Sequence, residues 1–181
     1  MILVLGDSLS AGYGLAPGQG WVALLERRLS AQGYEHRVVN ASVSGETTGG
    51  GLQRLPRALA LHRPAVLFIE LGANDGLRGL PIPELRANLE QLLELGRKAG
   101  AHVALAGIRI PTNYGLQYTE SFFAVFSELA REREVPLVPF FLEGIALRDE
   151  LFQDDRIHPN AAAQRIILDN AWAALQPLLE R

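Results

Sequence analysis

The chain opens on Ile2-Leu3-Val4-Leu5-Gly6-Asp7-Ser8-Leu9-Ser10. Four apolar residues running into a glycine predict a buried strand, Ile2–Leu5, closed by a sharp turn. A serine just beyond the carboxyl end of a strand lies where open α/β sheets place their ligands. Taken alone, Ser8 reads equally well as a turn residue or a helix N-cap, because serine suits both. The rest of the chain has to supply the partners that separate these readings.

Outward from that strand, apolar residues recur in alternating strand and helix patterns. Trp21–Ala31 is a helix with Val22, Leu25 and Leu29 on one side, Arg27 and Arg28 on the other, and Gly33 to end it. His36–Asn40 is a second strand. Thr47–Gly51 reads as a glycine-rich bend, followed by a helix carrying Leu52, Leu55, Leu59 and Leu61 that Pro56 interrupts or kinks. Ala65–Leu71 is a continuous apolar run, as expected of a parallel strand covered on both faces.

Pro83–Ala99 is an amphipathic helix closed by Gly100, and His102–Ile110 a fourth strand. Tyr118–Glu134 is a helix with Phe122, Val125, Phe126 and Leu129 inward, and Val135–Phe141 a fifth strand. An irregular segment, Leu142–Asp155, contains a short helix, and Pro159–Leu179 is the last helix. Five alternations without a repeat or linker predict one α/β domain over residues 1–181. In it, a five-stranded parallel sheet lies between two helical layers joined by right-handed crossovers.

Composition narrows the function classes. The 181 residues are 48% hydrophobic and 20% charged, typical of a globular domain large enough to need no staples. A net charge of −3 with no stripe of Lys or Arg argues against nucleic acid as a partner. The absence of cysteine removes disulfides, thiol catalysis and cysteine metal sites together. No run approaches the ~18 apolar residues of a membrane span, so no stable insertion is expected. No basic segment precedes the first strand, which fits either a chain that begins there or a processed form carrying an added Met1.

In such a sheet the carboxyl-end loops share one rim. Three of them carry Ser8, Gly45 and Asn74, and the segment before the last helix reads Asp154-Asp155-Arg156-Ile157-His158-Pro159-Asn160. A carboxylate three residues ahead of a histidine in a loop can fold back onto the ring and fix its tautomer. The far nitrogen is then left to accept a proton from a serine. Serine needs such a base within reach to act as a nucleophile.

Each residue also has a plainer role. Asp155 suits an N-cap or a loop, Gly45 a positive φ, and Asn74 and Asp75 a turn. His36, His62 and His102 are read as ordinary, the first and last opening strands and His62 suiting a helix C-terminus. Four plain roles converging on one rim are less economical than one shared site.

Gly6-Asp7-Ser8-Leu9-Ser10 resembles the first block of the SGNH (GDSL) hydrolases. Ser44-Gly45-Glu46-Thr47-Thr48 resembles the second, Gly72-Ala73-Asn74-Asp75-Gly76 the third, and Asp155-x-x-His158-Pro159-Asn160 the last. The resemblance runs in family order from Ile2 to Leu179. The wording of Gly6–Gly14, Gly20-Trp21-Val22 and Val39-Asn40-Ala41-Ser42 is similar to the bacterial thioesterase, arylesterase and lysophospholipase branch.

The resemblance implies a flavodoxin-like fold, Ser8 as nucleophile, His158 as base and Asp155 as its orienting carboxylate. It implies an oxyanion hole of the Ser8 and Gly45 backbone N–H groups and the Asn74 amide, with no metal and no cofactor. It further implies acyl ester, thioester or lysophospholipid substrates, and export to the periplasm or beyond if the chain is a processed form, the cytoplasm otherwise. A monomer is the default state. Arg156 departs from the glycine that many relatives carry, which puts a charge near the rim.

Leu77 and Tyr114 lie in the loops expected to wall an acyl pocket, Gly76–Pro81 and Pro111–Tyr118. Two rival classes stay open at this point. One is a carbohydrate O-deacetylase with the same triad. The other is a non-catalytic binding domain using Gly49-Gly50-Gly51 as an anion nest, disfavoured by the lack of a P-loop motif and by a single lysine, Lys98. An α/β-hydrolase elbow is absent, since Gly6 precedes Ser8 by two but Ser10 follows by two.

Overall fold

The computed structural model describes residues 1–179. Strands β1 (Ile2–Gly6), β2 (Val38–Asn40), β3 (Val66–Glu70), β4 (His102–Ala106) and β5 (Leu137–Val138) form one parallel sheet in the order β2-β1-β3-β4-β5. This is the flavodoxin-like order, whose switch point lies between β1 and β3. Both central strands are buried along their full length, which explains why their sequences are continuously apolar rather than alternating.

Among the described residues seven α-helices cover the sheet: α1 (Ser8–Ala11), α2 (Trp21–Ala31), α3 (Thr48–His62), α4 (Ala73–Leu77), α5 (Ile82–Lys98), α6 (Leu116–Glu132) and α7 (Gln164–Leu175). The chain steps one way from β1 to β2 and the other way from β2 through β3 and β4 to β5. Right-handed crossovers therefore put α2 on one face and α3, α5 and α6 on the opposite one. The contacts agree: α2 packs on α7, while α3 packs on α5 and α5 on α6. Trp21 on α2 is fully buried and meets Phe68 of β3 and Phe141 edge-on, at centroid distances of 5.4 and 5.7 Å. The expected three-layer α/β/α architecture is the one observed.

Several local expectations are corrected. Thr47–Gly51 is the cap and first turn of α3 rather than a bend, with the Thr47 hydroxyl accepting the Gly50 N–H at 3.2 Å. The helix continues through Pro56, omitting only the bond that proline cannot donate. The fourth strand stops at Ala106, not Ile110. From there the Gly107 N–H bonds Val138 and its carbonyl accepts from Phe141, drawing the chain across the end of β5.

The fifth strand shrinks to Leu137–Val138, between Pro136 and Pro139, neither of which has an N–H for a ladder. The last helix begins at Gln164 after a 3₁₀ turn over Ala161–Ala163 and yields to another at Gln176–Leu178, where Pro177 sits. His36 lies ahead of β2 rather than in it, because that strand starts at Val38. No helix among the described residues is long and apolar enough to cross a membrane.

Candidate active site

The rim is built by tight turns at the ends of β1 and β3. At the end of β1, Gly6 lets the backbone pass where a Cβ would sit 2.7 Å from the Glu70 carboxylate and 2.8 Å from the Ser10 side chain. Asp7 then caps the four-residue helix α1, its Oδ1 accepting the Leu9 N–H at 3.0 Å. Ser8 is the first residue of that helix rather than its cap. Its N–H is one of the donors a helix start leaves without an intrahelical partner.

From the other end of the chain, the turn before α7 brings His158 over this serine. The His158 Nε2 lies 2.9 Å from the Ser8 Oγ, and Nδ1 lies 2.6 Å from the Asp155 Oδ2. Asp155 bonds both the loop backbone and the histidine ring. Its Oδ1 accepts the Ile157 and His158 backbone N–H groups at 2.9 Å each, folding the loop, while Oδ2 faces the ring. These backbone bonds, followed by the bond to the ring, pull the Asp155 pKa down to about 2. An ionised Asp155 assigns the proton to Nδ1 and leaves the Nε2 lone pair toward the serine hydroxyl.

Arg156 adopts φ +57, inside the left-handed region that favours glycine. Its side chain is exposed at the rim. Gly45 has φ +80 in an exposed turn after β2, with the Arg78 guanidinium donating to its carbonyl at 3.0 Å. Asn74 stands in the first turn of α4 after β3. Both of its amide hydrogens are engaged: Nδ2 donates to the Asp7 Oδ2 at 3.0 Å and to the Glu46 carbonyl at 2.9 Å.

Other groups were not singled out from the sequence. The Tyr13 ring lies over the His158 imidazole, centroids 4.4 Å apart at an interplanar angle of 39°. Gln153 Nε2 donates to the Tyr13 carbonyl at 2.8 Å. Together with Gly14, Asp154 and Asp155 these two residues line an open cavity of about 720 Å³ beside the histidine.

Behind the serine, Asp7 and Glu70 are buried. The Ser10 hydroxyl donates to the Glu70 Oε2 at 2.7 Å and accepts from the Trp21 Nε1 at 3.1 Å. Burial pushes Asp7 up to about 6 and, with the Asp7 charge beside it, holds Glu70 well above the usual range. No periodicity marks these contacts. Asp7 falls inside the first sequence block and Tyr13 in the Gly6–Gly14 stretch around it, and nothing else in the sequence announces their packing.

Leu77 ends α4 and Tyr114 sits in the 3₁₀ turn Thr112–Tyr114, both partly exposed and neither lining the cavity above. Their two loops are tied together by the Tyr118 hydroxyl, which donates to the Leu80 carbonyl at 2.7 Å. His62 and His102 lie far along the chain from this rim, in the last turn of α3 and at the amino end of β4. Among the described residues no group of three or more His, Asp or Glu side chains is arranged to hold a metal ion.

Residues 4–166 match the GDSL-like lipase/acylhydrolase family. The chain is 51% identical over 178 residues to the esterase TesA of Pseudomonas aeruginosa, covering 98% of this chain and 89% of that protein. It is 46% identical over 178 residues to the thioesterase 1/protease 1/lysophospholipase L1 of Escherichia coli K12, covering 98% and 84%. Among solved structures, crystalline TesA superposes with a TM-score of 0.95 over 98% of this chain and 99% of that one, at 51% identity. The psychrotrophic esterase EstA of a Pseudoalteromonas species, inhibited by monoethylphosphonate, gives 0.92 over 97% and 96% at 42% identity. Identity at this level across nearly the whole chain, with backbones that superpose this closely, leaves one assignment: the chain belongs to the GDSL (SGNH) hydrolase family and is a serine-dependent ester hydrolase.

Proposed function

We propose that Ser8, His158 and Asp155 form the catalytic triad of an acyl hydrolase working through a seryl ester. The observation that carries this reading is the unbroken line from Ser8 Oγ to His158 Nε2 and from His158 Nδ1 to Asp155 Oδ2, at 2.9 and 2.6 Å. As Ser8 attacks the acyl carbon, its proton passes to Nε2, and the ionised Asp155 stabilises the imidazolium that forms. His158 then protonates the leaving alcohol or thiol, and a water molecule repeats the sequence on the acyl ester. Tyr13, its ring tilted 39° to the imidazole at a centroid distance of 4.4 Å, favours the same charged imidazolium.

The oxyanion of each tetrahedral intermediate is taken by the backbone N–H groups of Ser8 and Gly45 and the amide of Asn74. Donors of this kind are fixed before the charge develops, and losing one costs roughly 10²–10³ in turnover. The substrates are short-to-medium acyl esters and acyl thioesters, with lysophospholipids in range. The names of the esterase and thioesterase relatives support this class. Residues 1–181 act as one domain and a monomer, and a processed chain works in the periplasm or outside the cell. Family resemblance supports that setting.

The test is hydrolysis of p-nitrophenyl esters from acetate to long chains by wild type and Ser8→Ala. Wild type turns over, and Ser8→Ala loses about 10⁶-fold in kcat. Equal rates for the two proteins would overturn the assignment. Leu77→Ala and Tyr114→Ala shift the preferred chain length while leaving the melting temperature near that of wild type. Unchanged relative rates across the series would remove both residues from the acyl site.

A further inference from the structure

Asn74 is the one oxyanion donor that already has other work. Its side-chain nitrogen carries two hydrogens, and both are spent on protein acceptors, the Asp7 Oδ2 at 3.0 Å and the Glu46 carbonyl at 2.9 Å. An intermediate can recruit this amide only by displacing one of the two. The acceptors differ in how firmly they are held. Glu46 sits in the irregular segment between β2 and α3, partly buried; its side chain pairs with Arg54 and its N–H bonds the Val43 carbonyl, but the peptide that offers the carbonyl to Asn74 lies outside any strand or helix. Asp7 is 1% exposed and fixed at both ends, its Oδ1 capping α1 through Leu9 and its own N–H directed at Glu70.

We infer that Asp7 is a positioning residue for the oxyanion hole: it keeps one Asn74 hydrogen so that the other is aimed where the Glu46 carbonyl now sits, and the oxyanion replaces that carbonyl. This rests on Asn74 serving as an oxyanion donor, as proposed above. The orientation follows from donor chemistry. An ionised carboxylate and a backbone carbonyl both only accept hydrogen bonds, so the NH₂ end of Asn74 must face them and its carbonyl oxygen must point away. Turned over, the amide would set oxygen against oxygen at two contacts and present an acceptor to the developing negative charge. Burial raises Asp7 to about 6, so it is ionised, and acceptor-only, above that pH.

Asp7→Asn tests the orientation with almost no change of shape. Its Oδ1 still caps Leu9, since asparagine is as good an N-cap as aspartate, but its NH₂ meets the NH₂ of Asn74 and turns that amide over. At pH 8, kcat on p-nitrophenyl butyrate is expected to fall about 10²-fold with KM little changed, the loss of one oxyanion donor. In an Asn74→Ala background the same substitution is expected to cost almost nothing further, because it acts through the residue already removed. A merely structural role would instead lower both backgrounds alike.

Asp7→Ser keeps a cap acceptor for Leu9 but cannot reach Asn74, and the same loss is expected; it decides the matter if Asp7→Asn does not fold. Wild-type kcat in either folded variant, or full multiplication of the losses in the double variant, overturns the inference. Wild type and Ser8→Ala are assayed alongside. An inactive wild type, or an active Ser8→Ala, overturns the triad and this inference together. A normal pair with unaffected Asp7 variants overturns the inference alone.

Discussion

Two aspartates each lie one hydrogen bond from a residue of the proposed machinery, and their surroundings are opposite. Asp155 stands in an exposed loop, its side chain 36% accessible, and accepts two backbone N–H groups and the His158 ring. Asp7 is 1% exposed, beside the equally buried Glu70 and within electrostatic reach of Asp75. Hydrogen bonds pull the first pKa down to about 2, while burial pushes the second up to about 6. The carboxylate that would carry charge in the proposed reaction is thus ionised by its backbone donors, without being sealed from water. The one inferred to orient a neutral amide is instead locked in place by the fold.

The contrast breaks first at Asp155. Asp155→Ala removes both the loop bonds and the tautomer control, and kcat on p-nitrophenyl esters is expected to fall about 10⁴-fold. Asp155→Asn keeps the loop acceptor but not the charge, so a comparable loss would show that the charge and tautomer matter more than the loop. A loss of only a few-fold in Asp155→Ala would mean that His158 is oriented by something else, with the tilted Tyr13 ring beside it the first candidate.

The buried side is sharpened by Glu70, whose effect falls on stability. Its folded pKa lies well above the ordinary 4.5, because burial and the Asp7 charge oppose ionisation. Between those two values the folded state holds a proton that the unfolded chain has released. That advantage is complete below pH 4.5 and is lost as pH rises through the folded value. Glutamine keeps an acceptor for the Ser10 hydroxyl and does not titrate. Glu70→Gln is therefore expected to melt above wild type at pH 8, by about 2–4 °C for each kcal/mol relieved. The gap closes as pH is lowered toward 4.5. A lower melting temperature at pH 8 would show that the ionised carboxylate is stabilising after all.

The same division between local and distant causes governs how much the sequence revealed. β1, α2 and the alternation that implies a parallel sheet are legible because long apolar periods report burial directly, whereas the order β2-β1-β3-β4-β5 leaves no mark in any one segment. The Asp155–His158 pair was legible because three residues of loop suffice to close it. Helices α1 and α4 were missed: four and five residues are too few to show a helical period.

The glycines at 49–51 resemble a bend in sequence, since glycine is a poor helix former, yet Thr47 caps them and Gly51 packs closely on Leu71. Asp7 meets Glu70 across 63 positions of sequence, Glu70 meets Ser10 across 60, and Tyr13 meets His158 from the far end of the chain, through packing that no local pattern records. The chain positions of Asn74 and Gly45 were visible, but the prior engagement of the Asn74 amide by Asp7 and Glu46 was not.

The most direct test of Ser8 as a nucleophile poised by His158 is covalent capture. Wild type and His158→Ala are treated with a p-nitrophenyl alkylphosphonate, and the adducts are located by mass spectrometry of intact and digested protein. One phosphonyl group on Ser8 of wild type, accumulating in step with loss of esterase activity and far more slowly in His158→Ala, is the predicted result. An adduct on another residue, or wild type that stays fully active once Ser8 is modified, would contradict it.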